Sequence, residues 1–260
     1  MTKNQNGRKT PSEMACDLMN GLSRQPRLTS STPQIARAPM ALPPRMYKYL
    51  SRRWADTLVT VGNTRVGTLH DFRSLEHGPG ISDPEEGKKE IRASFDEPET
   101  FVGGAASGDA MAQLGVFKVA EGASATFSGL SIVRPIDHPD CYVWCASREK
   151  SRKAMSRIDG ADTCVEITNV GAFFRELGVA LAALCTVSRV GAGPVTYNER
   201  TEEWNRANLG IHPAFLKGPS FADQDEVRGV WAPNPAEGSL KAKFIDKSNL
   251  YKYCRIVDLP

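Results

Sequence analysis

The 260-residue sequence lacks any apolar run long enough to cross a membrane. Its best stretch, Val179–Cys185, falls far short of the roughly 20 residues that a helical span needs. The opening MTKNQNGRKT has no apolar core and is not read as a secretory signal. Six cysteines are present, at 16, 141, 145, 164, 185 and 254, but no Cys-x-x-Cys pair occurs. None of the four histidines stands at ligand spacing from Cys141 and Cys145, so no structural zinc, and no metal of any kind, is expected. Cys145, Cys164 and Cys185 sit among apolar neighbours and read as buried free thiols of a reducing cytoplasm. The glycine-rich run Gly103–Gly108 is not followed by Gly-Lys-Ser/Thr, which excludes a phosphate-binding P-loop. Net charge is also scarce, at +3, and it belongs to the first 40 residues, which hold six basic and two acidic side chains. The remainder is near neutral, unlike a domain built to grip nucleic acid.

What is present fits a soluble globular chain: 40% apolar and 24% charged residues, enough for one ordinary core. Residues 1–40 read as a flexible basic leader, rich in Gln, Asn, Ser, Thr and Pro. A short partner-binding helix over 11–22 is the sharper alternative, with Ser12 as cap and Met14, Leu18 and Met19 on one face. Residues 41–260 read as a single domain. Strands are expected at 46–50, 64–69, within 113–133 around Gly115–Val119 and Ala125–Val133, and at 141–147, 163–167, 194–197, 224–231 and 254–257. Helices are expected at 54–61, ended by Gly62, at 148–158, and at 170–185. In the last, Phe173, Phe174, Leu177, Leu181 and Leu184 recur at helical spacing. Residues 73–91 read as a charged loop. The class is therefore α+β, with short-stranded mixed or antiparallel sheets and flanking helices.

Three segments carry candidate chemistry. Tyr47-Lys48-Tyr49 opens the body. Arg65 and Thr68 lie on the next strand, with His70 close behind. Gln224-Asp225-Glu226 precedes Arg228, and a strand there would turn Gln224 and Glu226 to one face, because strand side chains repeat every two residues. The same spacing makes Glu226 and Arg228 candidates for a simple surface ion pair. Asp83–Lys88 has the composition of a metal-dependent nuclease site, but it reads as a mobile loop rather than a rigid carboxylate cluster. His70 and His77 flank Asp71 and Glu76 with no activated Ser or Cys beside them. Trp204 and Trp231 read as core or rim aromatics.

The combination of Tyr47-Lys48-Tyr49, Cys141-x-x-x-Cys145-Ala-Ser147, Pro194-Val-x-Tyr197, Lys217 and Gln224-x-Glu226-x-Arg228 resembles a broad family of bacterial and prophage proteins. It covers about residues 45–260. The layout also resembles mono-ADP-ribosyltransferases, including toxins of anti-phage and toxin–antitoxin systems. That resemblance implies an ADP-ribosyltransferase-like fold and NAD as donor. Lys48 or Arg65 would supply the early-strand cation, and Thr68 or Ser147 the hydroxyl strand. No Ser-Thr-Ser triplet is present. Glu226 would be the catalytic carboxylate and Gln224 the residue that orients the acceptor. Tyr47 or Tyr49 would stack on nicotinamide. The acceptor would be protein or nucleic acid, and an antitoxin or chaperone would contact the leader. The chemistry is coherent: breaking the nicotinamide–ribose bond builds positive charge on the sugar, which a nearby carboxylate stabilises. The alternative from another class is a non-catalytic binding module of a prophage or defence system, with the same motifs serving only the fold.

Overall fold

A computed structural model describes residues 41–78, 80–234, 240–246 and 248–260. The basic leader and its candidate helix lie outside these residues. The strands are β1 Met46–Leu50, β2 Thr64–Thr68, β3 Lys88–Phe95, β4 Glu99–Val102, β5 Ser124–Phe127, β6 Leu130–Asp137, β7 Tyr142–Ser147 and β8 Thr163–Ile167. They continue as β9 Val187–Pro194, β10 Thr196–Tyr197, β11 Thr201–Glu203, β12 Leu216–Lys217, β13 Glu226–Pro233, β14 Lys243–Ile245 and β15 Cys254–Val257. The α-helices are α1 Arg52–Val61, α2 Ala106–Gln113, α3 Arg152–Ser156 and α4 Val170–Ala182. The architecture is α+β with mostly antiparallel pairing; β10 with β12 and β11 with β3 are parallel.

The largest sheet runs β14-β2-β7-β1-β8-β15, and β13 joins β7 and β9. The β-branched and aromatic run of β7 pairs with three strands, β1, β2 and β13. Along one side β13 matches it from Glu226↔Ser147 to Trp231↔Tyr142. The other side is shared: β1 meets it at Tyr47↔Ser147, and β2 at Gly67↔Val143 and Thr68↔Tyr142. The sheet therefore forks beside Trp144, Cys145 and Ala146.

The helix α4 closes one face of this sheet. Phe173, Phe174, Leu177 and Leu181 lie on one stripe and are fully buried against Trp144, Val165, Val227 and Trp231. Asn169 caps its N-terminus, accepting from Ala172 N–H at 3.0 Å. Gly62 ends α1 at φ +74°, a conformation in which a Cβ is strained. A second core gathers Phe95, Phe101, Met111, Leu114, Ile132 and Trp204 under β3, β6 and β11. Trp204 and Trp231, core or rim aromatics by sequence, are both core residues.

Several expectations change. Residues 88–91 belong to β3 rather than a loop, since Lys89 is buried and pairs with Glu202 at 3.1 Å. No strand forms over 115–119, which leave α2 as turn and coil. The helix expected over 148–158 shrinks to α3, because the preceding backbone is committed elsewhere: Arg148 N–H donates to Asp225 O, and Ser151 N–H to the Tyr49 hydroxyl. The strand expected at 194–197 is replaced by two, β9 ending at Pro194 and β10 at Thr196–Tyr197, and β9 pairs with β13 along its length.

Candidate functional site

The fork between β1 and β2 opens into a cavity of about 550 Å³. That lies within the usual range of small-molecule sites. Its walls come from both arms of the fork, from the β7 edge and from β13. Lys48 crosses the gap: its ammonium donates to Cys145 O at 2.6 Å and lies 4.9 Å from the centre of the Trp144 ring. Burial pulls the Lys48 pKa down, partly opposed by Glu226.

The floor is a buried chain of charges. Glu226, 5% exposed, accepts from Arg228 Nε at 2.5 Å and from Lys217 Nζ at 2.9 Å. Arg228 turns its remaining nitrogens to Glu86, at 2.7 and 3.0 Å, and to Ala214 O at 2.8 Å. This is a two-pronged guanidinium–carboxylate contact of the kind Lys cannot make. Lys217 also donates to Gln224 Oε1 at 2.8 Å, and Gln224 Nε2 donates to Gly80 O at 2.5 Å. The Glu226 backbone N–H donates to the Tyr197 hydroxyl at 2.7 Å. Burial alone would push the Glu226 carboxyl up, but Arg228 and then Lys217 outweigh it and hold it well below the usual carboxylate range. Glu226 is therefore an ionised carboxylate fixed at the wall of a cavity. Burial raises Cys145 to about 12, so this thiol is no nucleophile at neutral pH.

Seven of the eight site residues expected from the sequence line this cavity: Tyr47, Lys48, Tyr49, Arg65, Ser147, Gln224 and Glu226. Thr68 does not. It is fully buried, and its hydroxyl accepts from Asp71 N–H at 3.1 Å. Tyr49 braces the wall, donating its hydroxyl hydrogen to Glu149 O at 2.5 Å while accepting from Ser151 N–H. Arg65 is held by an ion pair with Asp71, which His77 contacts from its other oxygen at 3.0 Å.

Three local expectations change. Gln224 and Glu226 do not share a strand face: Gln224 ends the 3-10 helix Pro219–Gln224, and Asp225 takes φ +40° before β13 begins. What brings the two side chains together is Lys217, which both accept from. Glu226 and Arg228 form a buried pair rather than a surface one. The segment 83–88 likewise is no mobile loop, since Asp83 pairs with Arg200 at 2.5 Å and Glu86 is completely buried. Among the described residues no group of three or more His, Cys, Asp or Glu side chains converges as a metal site requires. Glu86 as the third member of the floor was missed, because its partner Arg228 is 142 residues away. Trp54 and Phe244 at the cavity rim were missed for the same reason.

No family model, no curated protein and no solved structure matches this chain.

Proposed function

We propose that the cavity binds NAD and that the protein is a mono-ADP-ribosyltransferase of the toxin or defence-effector kind, its α+β body an ADP-ribosyltransferase-like fold. The observation that carries this reading is the shared cavity of Glu226, Lys48, Arg65 and Tyr47. As the bond between ribose C1 and the nicotinamide nitrogen breaks, the electron pair leaves with nicotinamide and positive charge grows on the sugar. An ionised carboxylate fixed beforehand stabilises that charge without reorganising. The acceptor nucleophile then bonds to C1 and gives its proton to solvent. Lys48 as a point charge, or Arg65 as a fork, would hold the pyrophosphate. Gln224 would orient the acceptor, Ser147 and the Tyr47 ring would complete the donor site, and the acceptor would be protein or nucleic acid. The toxin would act in the cytoplasm of a prophage-bearing or defended cell, with the basic leader as the contact for an antitoxin or chaperone. No helix among the described residues is long and apolar enough to cross a membrane.

One observation favours the second reading, a non-catalytic binding module. Both oxygens of Glu226 already have cationic partners, as in a purely structural knot. Incubating the pure protein with NAD and measuring nicotinamide release separates the two. Release that Glu226→Gln removes while the fold and NAD binding persist supports the transferase. No release from the wild-type protein, with every candidate acceptor absent or present, overturns it.

A further inference from the structure

Two large aromatic side chains stand unusually open at the cavity rim. Trp54, near the start of α1, is 46% exposed and Phe244, on β14, is 59% exposed. Their ring centres lie 6.3 Å apart with planes inclined by 31°. Both line the cavity. The Arg53 guanidinium lies 5.6 Å from the Trp54 ring centre, so one contact of that ring is taken, while much of both rings stays open to solvent beside the cavity.

Their position relative to the charges is set by the sheet. Phe244 is the direct cross-strand partner of Arg65, so the two side chains rise from one face of the β2–β14 pair. Lys48 lines the same cavity as Arg65 and Glu226. One cavity lining thus holds a carboxylate at its buried side, the cations Lys48 and Arg65, and an aromatic pair at its exposed side next to Arg65. A ligand matched to this order has a reactive, cation-forming end, a doubly charged anionic middle and a planar heterocycle at its far end.

We infer that Trp54 and Phe244 form a stacking shelf for the purine of a dinucleotide whose pyrophosphate meets Arg65 and Lys48. This rests on the NAD reading above and gives the dinucleotide a direction: nicotinamide riboside inward, adenine at the rim. Aromatic stacking tolerates any base, so the shelf supplies affinity, while the phosphate contacts and the buried carboxylate supply register.

The test is calorimetric titration of the full chain with three probes: ADP-ribose, AMP and nicotinamide mononucleotide. Trp54→Ala and Phe244→Ala should each weaken ADP-ribose and AMP by roughly tenfold. Nicotinamide mononucleotide, which has no purine, should bind both variants as it binds the wild type. Trp54→Phe should restore most of the loss. Both side chains are solvent-facing, and unchanged thermal melting verifies that the variants fold. Equal binding of ADP-ribose to wild type and both Ala variants overturns the shelf while leaving the NAD reading intact. Equal weakening of all three probes overturns the proposed direction. Failure of the wild-type protein to bind any of the three overturns both the shelf and the reading beneath it.

Discussion

Arg228 donates from Nε to Glu226 Oε1 at 2.5 Å across two positions of one strand, and both side chains are buried. The pair ties the floor of the cavity to the core of the sheet. Any functional test on Glu226 is therefore also a test of stability, and the choice of substitution decides which of the two is read.

Glu226→Ala leaves Arg228 and Lys217 facing each other without their shared anion. Breaking a buried pair in this way costs about 3–5 kcal/mol. The expected outcome is a large fall in the urea midpoint, so loss of activity in this variant would not by itself identify a catalytic role. Glu226→Gln keeps the shape and an accepting oxygen, should cost less, and should abolish nicotinamide release if the transferase reading holds. Denaturation and release measured on the same preparation check both statements.

Acid should expose the same network. The Glu226 carboxyl is held below its unfolded value, so its contribution to stability is fully present above about pH 4.3 and is lost as pH falls toward the folded value. The stability gap between wild type and Glu226→Gln should stay constant from pH 8 to pH 5 and shrink below that. A gap that widens in acid would contradict the assignment of Glu226 as ionised.

Arg228→Lys should fail to preserve the floor. Its single ammonium cannot bridge Glu86 and Glu226 with two-pronged geometry. The expected loss is a few kcal/mol, in the range for a broken buried pair. Arg228→Met, by contrast, would leave Glu86 unpaired and Glu226 with Lys217 alone, and should be worse unless Glu86→Gln accompanies it. A double-mutant cycle on thermal or urea unfolding measures the coupling.

Asp71→Asn should loosen Arg65 without touching the cavity floor, because Asp71 pairs with Arg65 and His77 and is not itself part of the cavity lining. Under the proposed function the KM for NAD should rise severalfold while kcat changes little, the pattern of lost ground-state binding. Thr68→Ala should do the opposite, lowering melting temperature with no change in KM, since Thr68 lies outside the cavity lining and caps Asp71 N–H.

Strands β1, β2, β7, β8 and β15 and helices α1 and α4 could be read from local pattern alone. Each is short-range: β-branched and aromatic runs between turn residues, or an apolar stripe at helical spacing. Tyr47, Lys48 and Glu226 could likewise be picked out as residues with chemistry. Strand β3 could not, because Lys88 and Lys89 look like a solvated run until Glu202 and the carbonyls of Leu209 and Ile211 surround the Lys89 ammonium. Nor could Glu86, whose charge reads as surface until Arg228 arrives from another element.

The chain by itself determined which segments could become strands and helices, because backbone preference and apolar spacing act over a few residues. Tertiary structure alone decided that β7 would share one edge between β1 and β2, and so leave a cavity where they part. It also decided that Glu226 would be charged inside that cavity. Burial disfavours a lone carboxylate, and only cations delivered by β12 and β13 reverse the sign.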